Sequence, residues 1–268
     1  MKKIKLFDPV IGISEEREII KILRSGFWAS GSGSGKVQEF EKKFSKYLNS
    51  DQCVAVNSGT AALNLALSLL DIKNKEVILP SLSFVATAHA VTLNGGKPVF
   101  ADVDSETLCI DPKQIMKLIT KKTAAILPVH FAGIACNLNE ISQLCQENNI
   151  KLIEDAAHAA GTKYDGRKIG SHSMAVCFSF HPVKNLGMPT GGLISINHVN
   201  HRKLKKTLNE KRWCGITNRH DFTYDVKQVG WNYYMNEFSA GLGLIQLKKL
   251  DNLNRIRRNI AKRYYNEI

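Results

Sequence analysis

A short apolar strand, a tight turn and an apolar helix follow one another in residues 53–70, which read CVAVNSGTAALNLALSLL. Cys53 to Val56 has the composition of a buried strand, and the Asn-Ser-Gly of residues 57–59 is typical of a turn. The run from Thr60 to Leu70 is apolar and long enough for a buried helix. This stretch predicts one β-α unit and indicates an α/β fold.

The same alternation of short strands and helices continues along the chain. Further strands are predicted at Glu76–Leu79, Pro98–Ala101, Ala124–Val129, Lys151–Glu154 and Met174–Ser179. Helical stretches lie between them, among them Asp111–Ile119 and Leu138–Asn148. Strands that alternate with helices favour a mostly parallel sheet covered on both faces, and ligands bind to such sheets at the carboxyl ends of the strands.

The flanking segments are helical. Helices are predicted at Ser14–Leu23 and Val37–Leu48, separated by the glycine-rich stretch Gly31–Gly35, which we interpret as a mobile loop near a site or an interface. After Asn197 the strand signal fades, and residues 235–268 read as helix broken only by two glycines.

The composition restricts the class of protein. The chain has 268 residues, 44% of them hydrophobic, and a net charge of +13, and a chain of this size can bury a substantial core. No apolar run approaches the roughly 18 residues of a membrane span, and the N-terminus does not resemble a secretory signal, so we expect a cytoplasmic protein with no membrane partner. The charge is spread without interleaved aromatic residues, so no nucleic-acid partner is expected. The six cysteines form no CxxC pair, so neither a disulfide framework nor a metal site is expected.

The turn in residues 57–63, NSGTAAL, is the first candidate binding site. Because the turn precedes a helix, the free N–H groups of that helix would face the strand ends, where helix N-termini bind phosphate. A simple helix cap explains the same residues. This motif alone leaves both interpretations open.

The second candidate is LIEDAAH, residues 152–158, where an apolar strand ends in two acids and a histidine follows. A carboxylate at a strand end can face a cationic ring nitrogen, and a nearby histidine can hydrogen-bond a phenolic oxygen. An acidic cap on the next helix is the alternative.

The third candidate is CFSFHPVKNLG, residues 177–187, followed by Thr190-Gly-Gly192. Lys184 stands at the end of an apolar strand, bounded by Pro182 and glycines, which suits a Schiff-base amine whose pKa falls on partial burial. An ordinary surface lysine is the alternative. The order of the motifs favours the amine, because a phosphate turn, an acid and a lysine follow at the ends of three separate strands.

The ordered motifs together resemble one family. SGTAAL, PSLSFVATAHA, VFADVD, EDAAHAAG, FSFHPVKN, TGG and GWNYYMNE are similar to motifs of the fold-type I aminotransferases of the DegT/StrS sugar-aminotransferase family. The resemblance covers nearly the whole chain, from the glycine stretch to the C-terminus. It implies the α/β large domain of a fold-type I pyridoxal-phosphate (PLP) transferase, with a mostly parallel sheet flanked by helices.

The resemblance also implies a role for individual residues. Lys184 would bind PLP covalently and move protons at the substrate carbon, and Asp155 would pair with the pyridinium nitrogen. Further contacts to the cofactor would come from His158 at the ring oxygen, Phe84 on the ring face, Ser58, Gly59, Thr60 and Ser179 at the phosphate, and Asn232 at the phosphate of the neighbouring subunit. That last role implies a homodimer with shared active sites.

The implied reaction is transamination. A keto group on a nucleotide-linked deoxysugar would become an amine, with L-glutamate as the donor, in the biosynthesis of amino sugars for surface polysaccharides such as lipopolysaccharide O-antigen. The expected substrate contacts are His130 and His181, for which a structural role is equally open, and Arg212 and Arg219 at the diphosphate. The stretch Gly31–Gly35 is expected to close over the sugar.

Family members continue from the long helix into a small C-terminal domain, which we expect to be mostly missing here. We therefore divide the chain into a PLP-binding large domain with an N-terminal helical arm, residues 1–240, and the start of the long helix, residues 241–268. Tyr234-Met235 stands where the family commonly has Arg-Met, so contacts there are expected to differ. The alternative is a PLP-binding paralogue without catalytic activity; the presence of both Lys184 and Asp155 favours the enzyme.

Overall fold

A computed structural model describes Lys5 and residues 7–267. In chain order the helices are α1 (Ile13–Ser25), α2 (Lys36–Leu48), α3 (Gly59–Leu67), α4 (Val85–Leu93), α5 (Pro112–Leu118), α6 (Leu138–Glu147), α7 (His201–Lys211) and α8 (Glu237–Glu267). The strands are β1 (Gln52–Val56), β2 (Glu76–Pro80), β3 (Lys97–Ala101), β4 (Thr123–Ile126), β5 (Lys151–Asp155), β6 (Lys163–Tyr164), β7 (Arg167–Lys168), β8 (Ala175–Ser179), β9 (Gly192–Ile196), β10 (Ile216–His220) and β11 (Thr223–Val226). A short 3-10 helix spans Phe131–Gly133.

Seven strands form one sheet in the order β1-β9-β8-β5-β4-β2-β3. The pairs β8–β5, β5–β4, β4–β2 and β2–β3 are parallel, whereas β9 runs antiparallel to both of its neighbours. The carboxyl ends of six strands therefore lie along one edge, together with the start of β9. The predicted α/β fold with a mostly parallel sheet is confirmed.

Most residues of the central strands are apolar and buried, because both faces of the sheet are covered. In β1, Cys53 and Ala55 belong to one buried cluster and Val54 and Val56 to the other. Side chains alternate in the same way in β8, where Phe178 and Cys177 lie on opposite faces. Without helices on both sides, half of these side chains would be exposed to water.

The N-terminal helices pack against the long C-terminal helix, as the contacts of α1 and α2 with α8 show. The break expected at the two glycines of this helix is wrong, since α8 is continuous through Gly241 and Gly243. A Cβ atom at Gly241 would lie 2.5 Å from Ile22 Cδ1 of α1. Glycine is needed here for close packing of two helices and not to end one.

The segment after Asn197 also differs from the sequence expectation. The strand signal was expected to fade after Asn197, yet β10 and β11 form an antiparallel hairpin. The hairpin is largely exposed and polar, so it lacks the apolar alternation by which a strand is recognised.

The domain division at residue 240 remains a prediction, and α8 crosses that position. Within the described residues, no helix is both long and apolar enough to cross a membrane.

Candidate active site

A cavity of about 510 Å³ opens at the sheet edge where the strands end. Each wall comes from the segment after one strand: Ser58 and Gly59 follow β1, Phe84 and Thr87 follow β2, Phe131 follows β4, Asp155 and His158 end and follow β5, and Lys184 follows β8. The predicted residues Ser58, Gly59, Thr60, Phe84, Asp155, His158, Ser179, His181 and Lys184 all line this one cavity. Residues far apart in the chain meet because parallel strands end at a common edge.

The N-terminus of α3 forms one end of the cavity. Ser58 caps the helix by accepting the Ala61 N–H at 3.1 Å. Among the described residues, the Gly59 and Thr60 amides donate to no acceptor, so both N–H groups are available to an anion. A Cβ atom at Gly59 would lie 2.7 Å from Ser179 Cβ, so only glycine lets the helix start against β8. This arrangement fits a phosphate group.

Asp155 ends β5 and is 4% exposed. Its carboxylate accepts hydrogen bonds from Thr87 Oγ1 at 2.9 Å and from the Ala157 N–H at 3.0 Å. Within the described part of the chain it forms no ion pair. Burial raises the pKa of the Asp155 carboxyl, and these two hydrogen bonds oppose that rise. A buried carboxylate that faces the cavity and forms no ion pair within the described residues suits a protonated ring nitrogen.

Lys184 lies in the turn after β8, where its N–H donates to the His181 carbonyl at 2.8 Å. Burial lowers the pKa of the Lys184 amine, and the nearby Asp155 charge opposes that fall. A lowered pKa increases the fraction of neutral amine, which is the nucleophilic form. Lys184 and Asp155 thus present an amine and a carboxylate to the same cavity.

His158 lines the same cavity as Lys184. Its Nδ1 accepts the Ala132 N–H at 3.3 Å, and the Phe131 ring stands edge-on to it with centroids 6.1 Å apart. Burial, followed by the charge of Lys184, lowers the pKa of His158, and Asp155 opposes this. The ring is therefore held as a neutral hydrogen-bonding group.

Four predicted residues lie outside the cavity wall: His130, Arg212, Arg219 and Asn232. His130 is fully buried and hydrogen-bonded to Glu154, so it takes the structural role and the expected substrate contact is wrong. Arg212 is 1% exposed and bonded to Glu41 and to the Ala55 and Ser32 carbonyls, so its guanidinium cannot reach a substrate diphosphate.

Asn232 is exposed, and its carbonyl accepts from Asn57 Nδ2 at 3.3 Å beside the phosphate-side turn. Its predicted contact with a neighbouring subunit stays a prediction. The stretch Gly31–Gly35 does not line the cavity. The Ser32 carbonyl accepts a hydrogen bond from Arg212, and directly after the stretch the Lys36 N–H donates to Glu237 at 2.8 Å.

The sequence reasoning missed Thr87 and Phe131. Thr87 lies on α4, where it holds Asp155 and is 2.6 Å from Ser83 Oγ. The stretch PSLSFVATAHA contained it, but α4 was not predicted as a helix, so its spacing from Ser83 was not used. Phe131 lies five residues beyond the end of β4 and was identifiable only as a residue near a strand end.

The sequence profile of the DegT/DnrJ/EryC1/StrS aminotransferase family matches residues 9–268. The spore coat polysaccharide biosynthesis protein SpsC of Bacillus subtilis is 38% identical over 262 residues, which cover 96% of this chain and 67% of SpsC. The protein MJ1066 of Methanocaldococcus jannaschii, whose function is uncharacterized, is 36% identical over 97% of this chain and 68% of its own length. The chain therefore belongs to the DegT/DnrJ/EryC1/StrS aminotransferase family.

Solved structures agree in fold. Spr1654 of Streptococcus pneumoniae, assigned as a sugar aminotransferase and solved in a PMP form and a PLP form, superposes with a TM-score of 0.92 at 30% identity. In the PMP form the match covers 97% of this chain and 70% of Spr1654. PseC of Helicobacter pylori, an aminotransferase of pseudoaminic acid biosynthesis, has a TM-score of 0.87 at 28% identity, with 93% of this chain and 66% of PseC covered. This chain spans about two thirds of the length of each relative.

Proposed function

We propose that the protein is a sugar aminotransferase that replaces the keto group of a nucleotide-linked deoxysugar by an amine, with L-glutamate as the donor. One observation supports this most strongly: Lys184 and Asp155 line the same cavity, beside the free N-terminus of α3. The products would enter the biosynthesis of surface polysaccharides such as lipopolysaccharide O-antigen. The predicted cytoplasmic location is part of the proposal.

Pyridoxal phosphate is the cofactor, as the family and the PLP and PMP forms of Spr1654 indicate. When bound, it acts as an electron sink for the carbon that gains or loses the amino group. The cavity fits it at three points: the free amides of Gly59 and Thr60 for the phosphate, the Asp155 carboxylate for the ring nitrogen, and the Lys184 amine for covalent attachment.

The remaining proposed contacts are supported by the residues that line the cavity. Ser58 and Ser179 flank the phosphate end, His158 can donate to the ring oxygen, and Phe84, 73% exposed, can cover the ring face. His181 lines the cavity and stays the candidate for a substrate contact. The lowered pKa of Lys184 lets its amine accept a proton from the substrate carbon and return it.

A homodimer with shared active sites is part of this proposal. The side chains of Phe84 and Val85 at the cavity mouth are more than half exposed, as are Phe222 and Val229 around the β10–β11 hairpin. Large exposed apolar side chains of this kind favour burial against another chain. Asn232, close to the hairpin and exposed, would then reach the phosphate bound in the neighbouring subunit.

The test is the visible absorption of the purified chain with added PLP. Wild type and Lys203→Ala, which removes an exposed lysine remote from the cavity, should develop the band of the covalently bound cofactor, and Lys184→Ala should not. L-Glutamate should bleach that band with release of 2-oxoglutarate, and nucleotide-linked keto-deoxyhexoses should restore it.

Two outcomes contradict the proposal. An equal band in Lys184→Ala would refute the assignment of the lysine. A band that forms normally but responds to neither L-glutamate nor the keto sugars would instead favour the PLP-binding paralogue without catalytic activity.

A further inference from the structure

His130 lies directly behind the candidate active site as part of a buried pair. His130 and Glu154 are both 0% exposed, and His130 Nε2 is 2.7 Å from Glu154 Oε2. The other ring nitrogen, Nδ1, accepts the Cys136 N–H at 3.1 Å. Because Nδ1 accepts, the ring carries its proton on Nε2 and donates it to Glu154. Both ring nitrogens of His130 therefore form hydrogen bonds within the protein.

These bonds hold both ends of the segment from residue 130 to residue 136. At its start, the His130 N–H donates to the Asp155 carbonyl at 3.0 Å. At its end, the Cys136 N–H is held by the His130 ring. In the middle, Thr162 Oγ1 donates to the Gly133 carbonyl at 2.8 Å. These hydrogen bonds fix the segment against β5, whereas a surface loop would be expected to form fewer such bonds.

The conformation of Ala132 indicates why the segment is pinned. Ala132 has φ 50° and ψ 16°, in the left-handed region that side-chain-bearing residues rarely adopt. Such a residue persists only where its surroundings hold it. In this conformation its N–H points to His158 Nδ1, at 3.3 Å. The strained residue thus supplies the hydrogen bond that orients a histidine of the cavity.

We propose that His130, paired with Glu154, is a positioning residue that fixes His158 as its Nε2–H tautomer through Ala132. With Nδ1 occupied by the Ala132 N–H, the proton of the neutral His158 ring lies on Nε2. His158 lines the cavity, so Nε2 is its available donor. The assignment of the PLP ring oxygen as the partner of this donor rests on the proposed function. The tautomer of His158 does not depend on that function.

The experiment reads the tautomer in the protein without PLP. Long-range ¹H–¹⁵N spectra of the chain labelled with ¹⁵N-histidine distinguish Nδ1–H from Nε2–H for each ring, and loss of one signal set in His158→Gln assigns His158 among the eight histidines. Wild type should show His158 with its proton on Nε2. A proton on Nδ1 of His158 would overturn the proposal whatever the variants do.

Variants then separate positioning from simple stabilisation. Removing His130 alone leaves the Glu154 carboxylate without a partner, so His130→Leu is combined with Glu154→Leu, which replaces the pair by apolar side chains. The ratio of Nε2–H to Nδ1–H in His158 should fall about fivefold, as expected for loss of one hydrogen bond. His130→Gln, whose amide can both accept from Cys136 and donate to Glu154, should restore the wild-type ratio.

Ala132→Gly is the matched control, because glycine keeps the N–H and adopts a positive φ freely, so the ratio should stay as in wild type. An unchanged ratio in the double variant would overturn the role of His130, even if thermal stability fell. Failure of the aminotransferase assays with the expected tautomer intact would refute the proposed function and leave this inference standing.

Discussion

Two of the almost completely buried carboxylates in the described part of the chain, Glu41 and Asp155, have different surroundings. Glu41 on α2 is 3% exposed and Asp155 at the end of β5 is 4% exposed. Glu41 bonds Arg212 Nη1 at 2.6 Å and the Ala55 N–H at 2.9 Å, and Lys205 Nζ lies 3.4 Å away. Asp155 receives only a hydroxyl and an amide N–H. One charge is neutralised inside the protein, and the other is left open towards a cavity.

The difference separates a structural ion pair from a binding group. The Glu41–Arg212 pair joins α2, β1 and the residues after α7, and Arg212 also bonds the Ser32 carbonyl at 2.8 Å. Because Arg212 is 1% exposed, its guanidinium is not accessible to a ligand. At Asp155, burial raises the carboxyl pKa, and because this carboxylate forms no ion pair within the described residues, a cationic ring nitrogen in the cavity would supply its counter-charge. Replacing each carboxylate by an amide should therefore have opposite consequences. At Asp155 the change should reduce activity, and at Glu41 it should reduce stability.

The largest expected effect is the loss of activity in Asp155→Asn. Asparagine keeps the size of the side chain; its oxygen can still accept the Ala157 N–H, and its NH2 group can donate to Thr87 Oγ1 in place of the bond that Thr87 donates to Asp155. It cannot, however, supply the negative charge that stabilises a cationic ring nitrogen. We expect kcat with L-glutamate to fall about 10³-fold, which corresponds to roughly 4 kcal/mol of barrier, while the unfolding free energy does not decrease. Steady-state kinetics and urea unfolding measure the two quantities. Retention of activity within about tenfold would show that Asp155 is not the partner of the ring nitrogen.

The second effect is the loss of stability in Glu41→Gln. This change leaves the Arg212 guanidinium buried without a counter-charge, which we expect to reduce the unfolding free energy by about 3 kcal/mol. The folded fraction should still bind PLP and react with L-glutamate. In the double variant Glu41→Leu/Arg212→Met much of the lost stability should return, because the buried pair is replaced by apolar side chains. A large loss of activity without a loss of stability would contradict the structural role.

The contrast between these carboxylates also marks what the sequence could reveal. Asp155 ends β5 and Lys184 lies in the turn after β8, so their positions at the sheet edge could be predicted from local pattern alone. Arg212 follows a charged helix, and its burial depends on Glu41, 171 residues away, which no local pattern indicates. The same holds for His130, whose partner is on another strand, and for the polar β10–β11 hairpin. Local periodicity predicted the elements and the site edge, whereas long-range polar pairing had to be observed.

The smallest effect is the contribution of Asp155 to the pH dependence of stability. In the protein without PLP, burial raises the folded-state pKa of Asp155 above the value of about 3.9 in an unfolded chain. Between these two values the folded state binds more protons than the unfolded state, so this group makes the protein less stable as pH rises. Below the unfolded value the carboxyl is protonated in both states and contributes no such dependence.

The unfolding free energy of Asp155→Asn minus that of wild type should therefore grow as pH rises from about 4 through the folded-state pKa and then become constant. One proton limits its slope to about 1.4 kcal/mol per pH unit. Urea unfolding of both proteins between pH 4 and 7 without PLP measures this difference, and Glu41→Gln against wild type serves as the comparison. A difference that stays constant or shrinks as pH rises would mean that Asp155 is neutralised within the chain, as Glu41 is. Saturating PLP should reduce the difference, because the cofactor brings the cation that the open carboxylate lacks.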